Sequence, residues 1–206
     1  MKLKKKAKKV LICLLIILLI IAIVLAIKSV NTKEVKEAKI VNEIKEYGYK
    51  LTDTKNAQYK KMFEELKAIL EADEVDEEAY VKKISEMFVY DFYSLKNKTS
   101  KTDIGGVDFV HPDMLENFLQ NAQDTYYKYV ENNIYGNRKQ ALPTVSDIKV
   151  EEVKQDSYEY NGKTDDKAYN VDMSWSYTDS QFSDYQKEAD LVFVHEGKKL
   201  CLVELQ

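Results

Sequence analysis

An unbroken run of 18 apolar residues, Val10 to Ile27, constrains this chain more than any other feature. As a helix it spans about 27 Å, close to the roughly 30 Å hydrocarbon thickness of a bilayer. Lys2, Lys4, Lys5, Lys6, Lys8 and Lys9 precede it, with no acid among them. Basic flanks stay in the cytoplasm, so the segment reads as a single-pass anchor that leaves everything after it outside the cell membrane. A cleaved signal peptide has a shorter apolar part, about 7 to 15 residues, before a small-residue site. Val24-Leu25-Ala26 is only a marginal match to such a site, so the segment is expected to be retained. The expected layout is a basic cytoplasmic tail (1–9), a transmembrane helix (10–27), a polar stalk (28–39) and one extracytoplasmic domain (40–206). The lipid bilayer is the partner this layout implies.

After Ile27 the chain carries 25 bases against 35 acids, a net charge of −10. Nucleic-acid affinity comes largely from Lys and Arg neutralising phosphates, so a nucleic-acid partner is not expected. The two cysteines, Cys13 in the apolar run and Cys201 near the end, are too far apart in kind to form a disulfide or a zinc site. No cofactor and no metal is expected.

Ile40 to Leu51 is ambiguous: Tyr47-Gly48-Tyr49 favours strand from about Val41, while Val35 to Ile44 also fits a helix. Three helices follow. Asp53 or Thr54 caps the first, whose apolar face is Tyr59, Met62, Phe63, Leu66, Ile69 and Leu70. The second starts near Asp76, with Tyr80, Ile84, Met87, Phe88, Asp91 and Phe92 on its stripe. A short strand is expected at Val107 to Val110. The third helix opens at Pro112 and runs through Leu115, Phe118, Leu119, Ala122, Tyr126, Tyr129 and Val130 to Gly136.

After Pro143 the apolar period changes from 3.6 to 2. Thr144 to Tyr160 reads as a long, bulged strand, and Asn161-Gly162 as a type I′ hairpin turn. Tyr169, Val171, Met173, Trp175 and Tyr177 then alternate with polar residues. Ala189, Leu191, Phe193 and His195 share a face of the next strand, and Gly197 turns it into a last one, Leu200 to Leu205. The predicted fold class is α+β: an N-terminal transmembrane helix, then three helices packed on a curved antiparallel sheet of about four strands.

Three helices followed by a four-stranded meander, its second strand striped from Tyr169 to Tyr177, resembles the nuclear transport factor 2-like (cystatin-like cone) fold over Tyr59 to Leu205. The resemblance implies a sheet wrapped around the helices. Some members use the cone as an enzyme pocket and others as a packing or dimer surface. The layout of basic tail, anchor and outer domain also resembles the bitopic scaffold proteins of conjugative type IV secretion machines. The stretch YYKYVENNIYGNRKQALP, Tyr126 to Pro143, resembles small membrane proteins of low-GC Gram-positive bacteria; that likeness implies no activity.

The chemistry-bearing residues are few. His111-Pro112-Asp113 matches the tripeptide of J-domain cochaperones, but it follows Gly105-Gly106 instead of a basic helix and reads as a helix start. Asp91 and His195 sit where their neighbours are buried, so a catalytic or small-molecule-binding cone would place one of them in its cavity with a Tyr as proton donor. As structural residues they are a hydrogen-bonded polar group near a helix end and an exposed strand terminus. Of the tyrosines near the third helix, Tyr127 and Tyr135 are expected to face outward and Tyr126 and Tyr129 inward. Lys96, Lys98 and Lys101 are expected on a solvated loop, with anionic headgroups or wall polymers as the alternative contact. With no catalytic spacing, the expected function is a membrane-tethered extracytoplasmic binding or assembly domain without catalysis. A protein partner or self-association, as a scaffold in an envelope complex, fits it. The alternative is the catalytic or ligand-binding cone with Asp91 or His195.

Overall fold

The computed structural model describes residues 16–23 and 38–206, which belong to two units, 1–37 and 38–206. In the first, residues 16–23 form helix α1, whose side chains are exposed. Among the described residues no helix is long and apolar enough to cross a membrane. The rest of the expected span, the basic tail and nearly all of the stalk lie outside the described residues.

The second unit is an α+β fold. Ile40–Ile44 (β1) and Tyr49–Thr52 (β2) form an antiparallel hairpin, which settles the ambiguous stretch as strand. Helix α2, Ala57–Leu70, buries Tyr59, Met62, Phe63, Leu66 and Leu70 as its periodicity requires. Its cap is Asn56, not Asp53 or Thr54: Asn56 Oδ1 accepts from the Tyr59 amide at 2.9 Å, while Asp53 is taken up by the Lys39 amide at 3.0 Å. Helix α3, Glu77–Tyr93, is capped by Asp76 and has acids in its first turn, at the positive end of its dipole. It is buried on nearly every side, because α2 covers one flank and the sheet the other.

The expected strand at Val107 to Val110 is a 3₁₀ turn, Val107–Phe109, whose one strand-like contact is a parallel bridge from Val110 to Leu202. The expected third helix is also shorter. Pro112–Met114 is a 3₁₀ turn, and helix α4 covers Leu115–Asp124 only. It stops because Thr125 leaves helical geometry, and that break sets Tyr127 in the core, donating to the Phe92 carbonyl at 2.6 Å. The orientation expected for two tyrosines is therefore reversed: Tyr127 is fully buried and Tyr129 is 76% exposed.

Residues 125–143 form a loop without helix or strand, and the chain's single arginine holds it. The Arg138 guanidinium donates to the carbonyls of Lys96 (2.9 Å), Lys98 (2.8 Å) and Glu131 (3.1 Å). The Asn133 amide donates to the Thr99 carbonyl at 2.7 Å. Two loops that follow different helices are thereby fastened together.

Val145–Tyr160 (β3), Lys163–Tyr177 (β4), Glu188–Glu196 (β5) and Lys199–Leu205 (β6) make an antiparallel sheet in the order β3-β4-β5-β6, the predicted meander. β3 is bulged as expected, with register shifts after Ser146, Val150 and Asp156. Asn161 and Gly162 both take positive φ, 51° and 73°, as a type I′ turn demands. Tyr169, Val171, Met173, Trp175, Leu191, Phe193, Leu200 and Leu202 face the helices.

The outer face carries a feature the sequence pattern does not announce. β4 pairs with β5 only from Tyr169 to Ser174, so the far part of the β3–β4 hairpin extends past the sheet. Tyr158 on that arm nevertheless donates to the Glu204 carboxylate on β6, three strands away. At about 4.8 Å per strand a flat sheet would separate them by roughly 14 Å, beyond a tyrosine's reach. The arm therefore folds over the outer face. Tyr158 and Tyr160 cover a small second core of Ala168, Val192, Val194 and Val203.

Replacing Arg138 by Lys removes the planar fork that serves three carbonyls at once. The expected cost is about 1 to 2 kcal/mol in urea unfolding, with faster amide exchange in 96–99 and 131–138. Unchanged stability and exchange would show that the loops hold without it.

Candidate functional site

Asp91 and His195, the two residues singled out for an acid–base role, lie at opposite ends of α3. His195 reaches Glu77, the first residue of the helix, and Asp91 is fourteen residues further on. That is about 21 Å along the axis, so the two do not converge on one site.

Asp91 is locked by three partners. Its Oδ2 receives the Lys55 ammonium at 2.6 Å and the Gly106 amide at 2.9 Å, and its Oδ1 receives the Lys98 ammonium at 2.8 Å. Gly105 packs so closely behind that a Cβ would stand 2.0 Å from the Asp91 carbonyl oxygen, and its amide donates to the Tyr127 hydroxyl at 3.1 Å. Gly106 has φ +75°, and a side chain there would strike the Phe88 ring. Burial alone would raise the Asp91 carboxyl, but the Lys98 and Lys55 ammoniums outweigh it and hold the group well below the usual carboxylate range. Lys98, expected on a solvated loop, is 5% exposed because it supplies this countercharge. A carboxylate with both oxygens occupied by cations is a poor proton acceptor at neutral pH. Its geometry is that of a clasp joining β2–α2, α3 and the Lys96–Gly106 loop.

His195 is the penultimate residue of β5, on the helix side of the sheet, and is partly exposed. Asp165 Oδ2 accepts from its backbone amide at 2.7 Å and lies 2.8 Å from its Nδ1. Its Nε2 is 3.6 Å from Glu77 Oε1, and the Tyr169 hydroxyl donates to the other Glu77 oxygen at 3.2 Å. Desolvation tends to raise the Asp165 carboxyl, yet the His195 amide and ring bring it below its ordinary value. Burial, then Glu77, push the Tyr169 hydroxyl up to about 12. His195 is thus an orienting contact that takes over where the β4–β5 ladder stops, and it fastens the root of the arm.

His111 caps the 3₁₀ turn, its Nδ1 accepting the Asp113 amide at 3.2 Å, with Nε2 3.4 Å from Glu196 and its ring edge-on to Tyr160 of the arm. The helix-start reading of His111-Pro112-Asp113 holds, and the arm contact adds to it. Both histidines of the chain therefore meet the folded arm. The sequence offered little to find these partners: Lys55, Lys98 and Glu77 look like ordinary surface charges, and only the Gly105-Gly106 pair signals a close approach.

On the helix side of the sheet, Phe88 stacks on Phe92 at 5.4 Å, Phe92 meets Tyr93 edge-on at 4.9 Å, and Tyr93 lies 4.3 Å from Trp175. Among the described residues, surface clefts of about 490 to 580 Å³ occur elsewhere, three of them lined by residues drawn from 151–206, 43–72 and 58–178. One of about 580 Å³ lies on the outer sheet face and is acidic, with Glu151, Asp172, Glu188 and Asp190 in its lining. Neither Asp91 nor His195 lines any of the three. Among the described residues no group of three or more His, Cys, Asp or Glu could hold a metal ion. Compared with known protein families, curated proteins and solved structures, the chain matches none.

Asp91→Asn leaves two ammoniums facing a neutral amide. It should cost about 3 to 5 kcal/mol at pH 7, measured by urea unfolding. Because the folded carboxyl is depressed, the wild-type advantage is present above the ordinary value of about 3.9 and is lost as pH falls below it. A difference between variant and wild type that did not shrink at pH 3 would remove the charge argument. Asp165→Ala should loosen the arm, with faster exchange in 156–168 and a smaller loss of about 1 to 2 kcal/mol.

Proposed function

We propose that this protein is a membrane-tethered extracytoplasmic binding or assembly domain that works through its surfaces, as a scaffold component of an envelope complex. The observation that carries this reading is the use to which the interior is put. The aromatic wall from Phe88 to Trp175 and the clasp on Asp91 occupy the space and the charge that a cone-type enzyme would turn to substrate. The basic flank and apolar run of residues 1–27 support the tether and its orientation. The element order supports likeness to the nuclear transport factor 2-like cone, whose members include packing and dimer surfaces.

The outer sheet face is the surface best suited to a protein partner. Asp172 stands directly across from Asp190, and Ser174 across from Glu188. Like charges opposite one another destabilise a strand pair, which a cationic partner would relieve. One observation favours the second reading, a catalytic or ligand-binding domain: the 2.8 Å contact of His195 with Asp165 at a partly exposed rim orients the ring as an acid–base residue needs.

In vivo cross-linking followed by membrane extraction tests the assembly reading. The full chain should appear in a defined higher-mass species, and Asp172→Lys with Asp190→Lys should reduce it at least about fivefold, whereas His195→Gln should not. Loss on His195→Gln with the outer-face variant unaffected would favour the second reading, and the absence of any higher-mass species would sink the first.

A further inference from the structure

The unit 38–206 has two chemically different ends. Helix α3, 17 residues and so about 25 Å long, marks the distance between them. At its N-terminal end lie Glu77 with His195, and Lys198 with Glu46 at 2.7 Å, all polar. At its C-terminal end lie Asp91 and Ser94. There the chain enters the unit: Lys39 pairs with Asp53, Lys55 binds Asp91, and Asp91 binds Lys98.

All six exposed large hydrophobic residues described in this unit gather at that entry end. Ile40 and Val41 open β1 beside the Lys39–Asp53 pair. Tyr129, Ile134 and Tyr135 stand on the loop that Arg138 fastens to Lys96 and Lys98. Tyr185 packs on Tyr177, whose strand partner Val145 donates to Ser94 Oγ at 3.1 Å. The fastened loops are also the basic part of an acidic domain. Residues 96–103 and 125–143 hold six bases and two acids, whereas the remainder of 38–206 holds 16 bases and 31 acids. Lys96, Lys101, Lys128 and Lys139 are exposed there, and Asp179 and Asp184 beside Tyr185 bound the basic area.

We infer that the fastened loops, tipped by Tyr129, Ile134 and Tyr135, dock this end of the domain on anionic lipid headgroups. This rests on the tethered reading, in which ten residues separate the apolar run from residue 38. Tyrosines favour the headgroup layer, lysines are drawn to its negative potential, and the Arg138 and Asn133 bonds already fasten the loop backbone, so little backbone order is lost on contact.

Amide exchange of the full chain, in phosphatidylcholine vesicles with and without phosphatidylglycerol, tests this. Exchange in 126–138 should slow about tenfold only where the anionic lipid is present. The slowing should vanish in Tyr129→Ser with Tyr135→Ser, and in Lys96→Glu with Lys101→Glu. All four positions are exposed, so the fold should survive, which exchange in α3 would verify. Equal exchange in both lipids, slowing that persists in the variants, or equal slowing by soluble poly(glycerol phosphate) would overturn the docking. Alkaline carbonate extraction of the same vesicles reads the tether separately. Release of the chain with the slowing intact sinks the anchor alone, and retention without slowing sinks the docking alone.

Discussion

The Asp91 carboxylate organises one end of the domain. Taking an aspartate out of water is costly, and the cost is met here by two ammoniums and a backbone amide from the loops on either side of the helices, Lys55, Lys98 and Gly106. The geometry imposes its own demands. Gly105 has to lack a side chain to lie against the helix, Tyr127 has to turn inward to receive the Gly105 amide, and α4 has to stop at Asp124 for Tyr127 to do so. An isolated ion pair contributes little to stability; one that decides which loop lies where contributes uniqueness.

That dependence explains which parts of the fold were legible in the sequence. The boundaries of α3, the long bulged strand, the Asn161-Gly162 turn and the order of the meander follow from period, caps and turn chemistry, all local properties. The α4 boundary and the orientation of Tyr127 and Tyr129 do not, because an internal hydroxyl bond overrode a helical phase that looked continuous. The turn at Val107 defeated a strand reading for a related reason: Val107, Phe109 and Val110 have β propensity, yet Val107–Phe109 forms a 3₁₀ turn directly after Gly106, whose amide the Asp91 clasp holds.

For the candidate site the same division holds. Asp91 and His195 were visible as polar residues on apolar stripes, but their partners were not. Lys98 and Asp165 sit in stretches rich in other charges, Lys96 to Lys101 and Asp165-Asp166, so nothing in the sequence separates the one that is buried or paired from its neighbours. The folded arm was equally hidden. Val192 and Val194 alternate with the helix-side Leu191 and Phe193 and so lie on the other face, where the arm's Tyr158 and Tyr160 pack over them.

The arm also divides the outer sheet face into two regions of opposite character. Where it lies, Val192, Val194 and Val203 are covered; beyond it, Asp172 faces Asp190 across the strands. A sheet covered throughout would have spent its polar alternation on packing. An entirely bare one would have left Val192, Val194 and Val203 exposed as a sheet surface prone to association. The folded hairpin keeps the apolar part closed and leaves a charged part accessible, so recognition at this face would be electrostatic and sensitive to salt, in contrast with the aromatic, basic end where the chain enters.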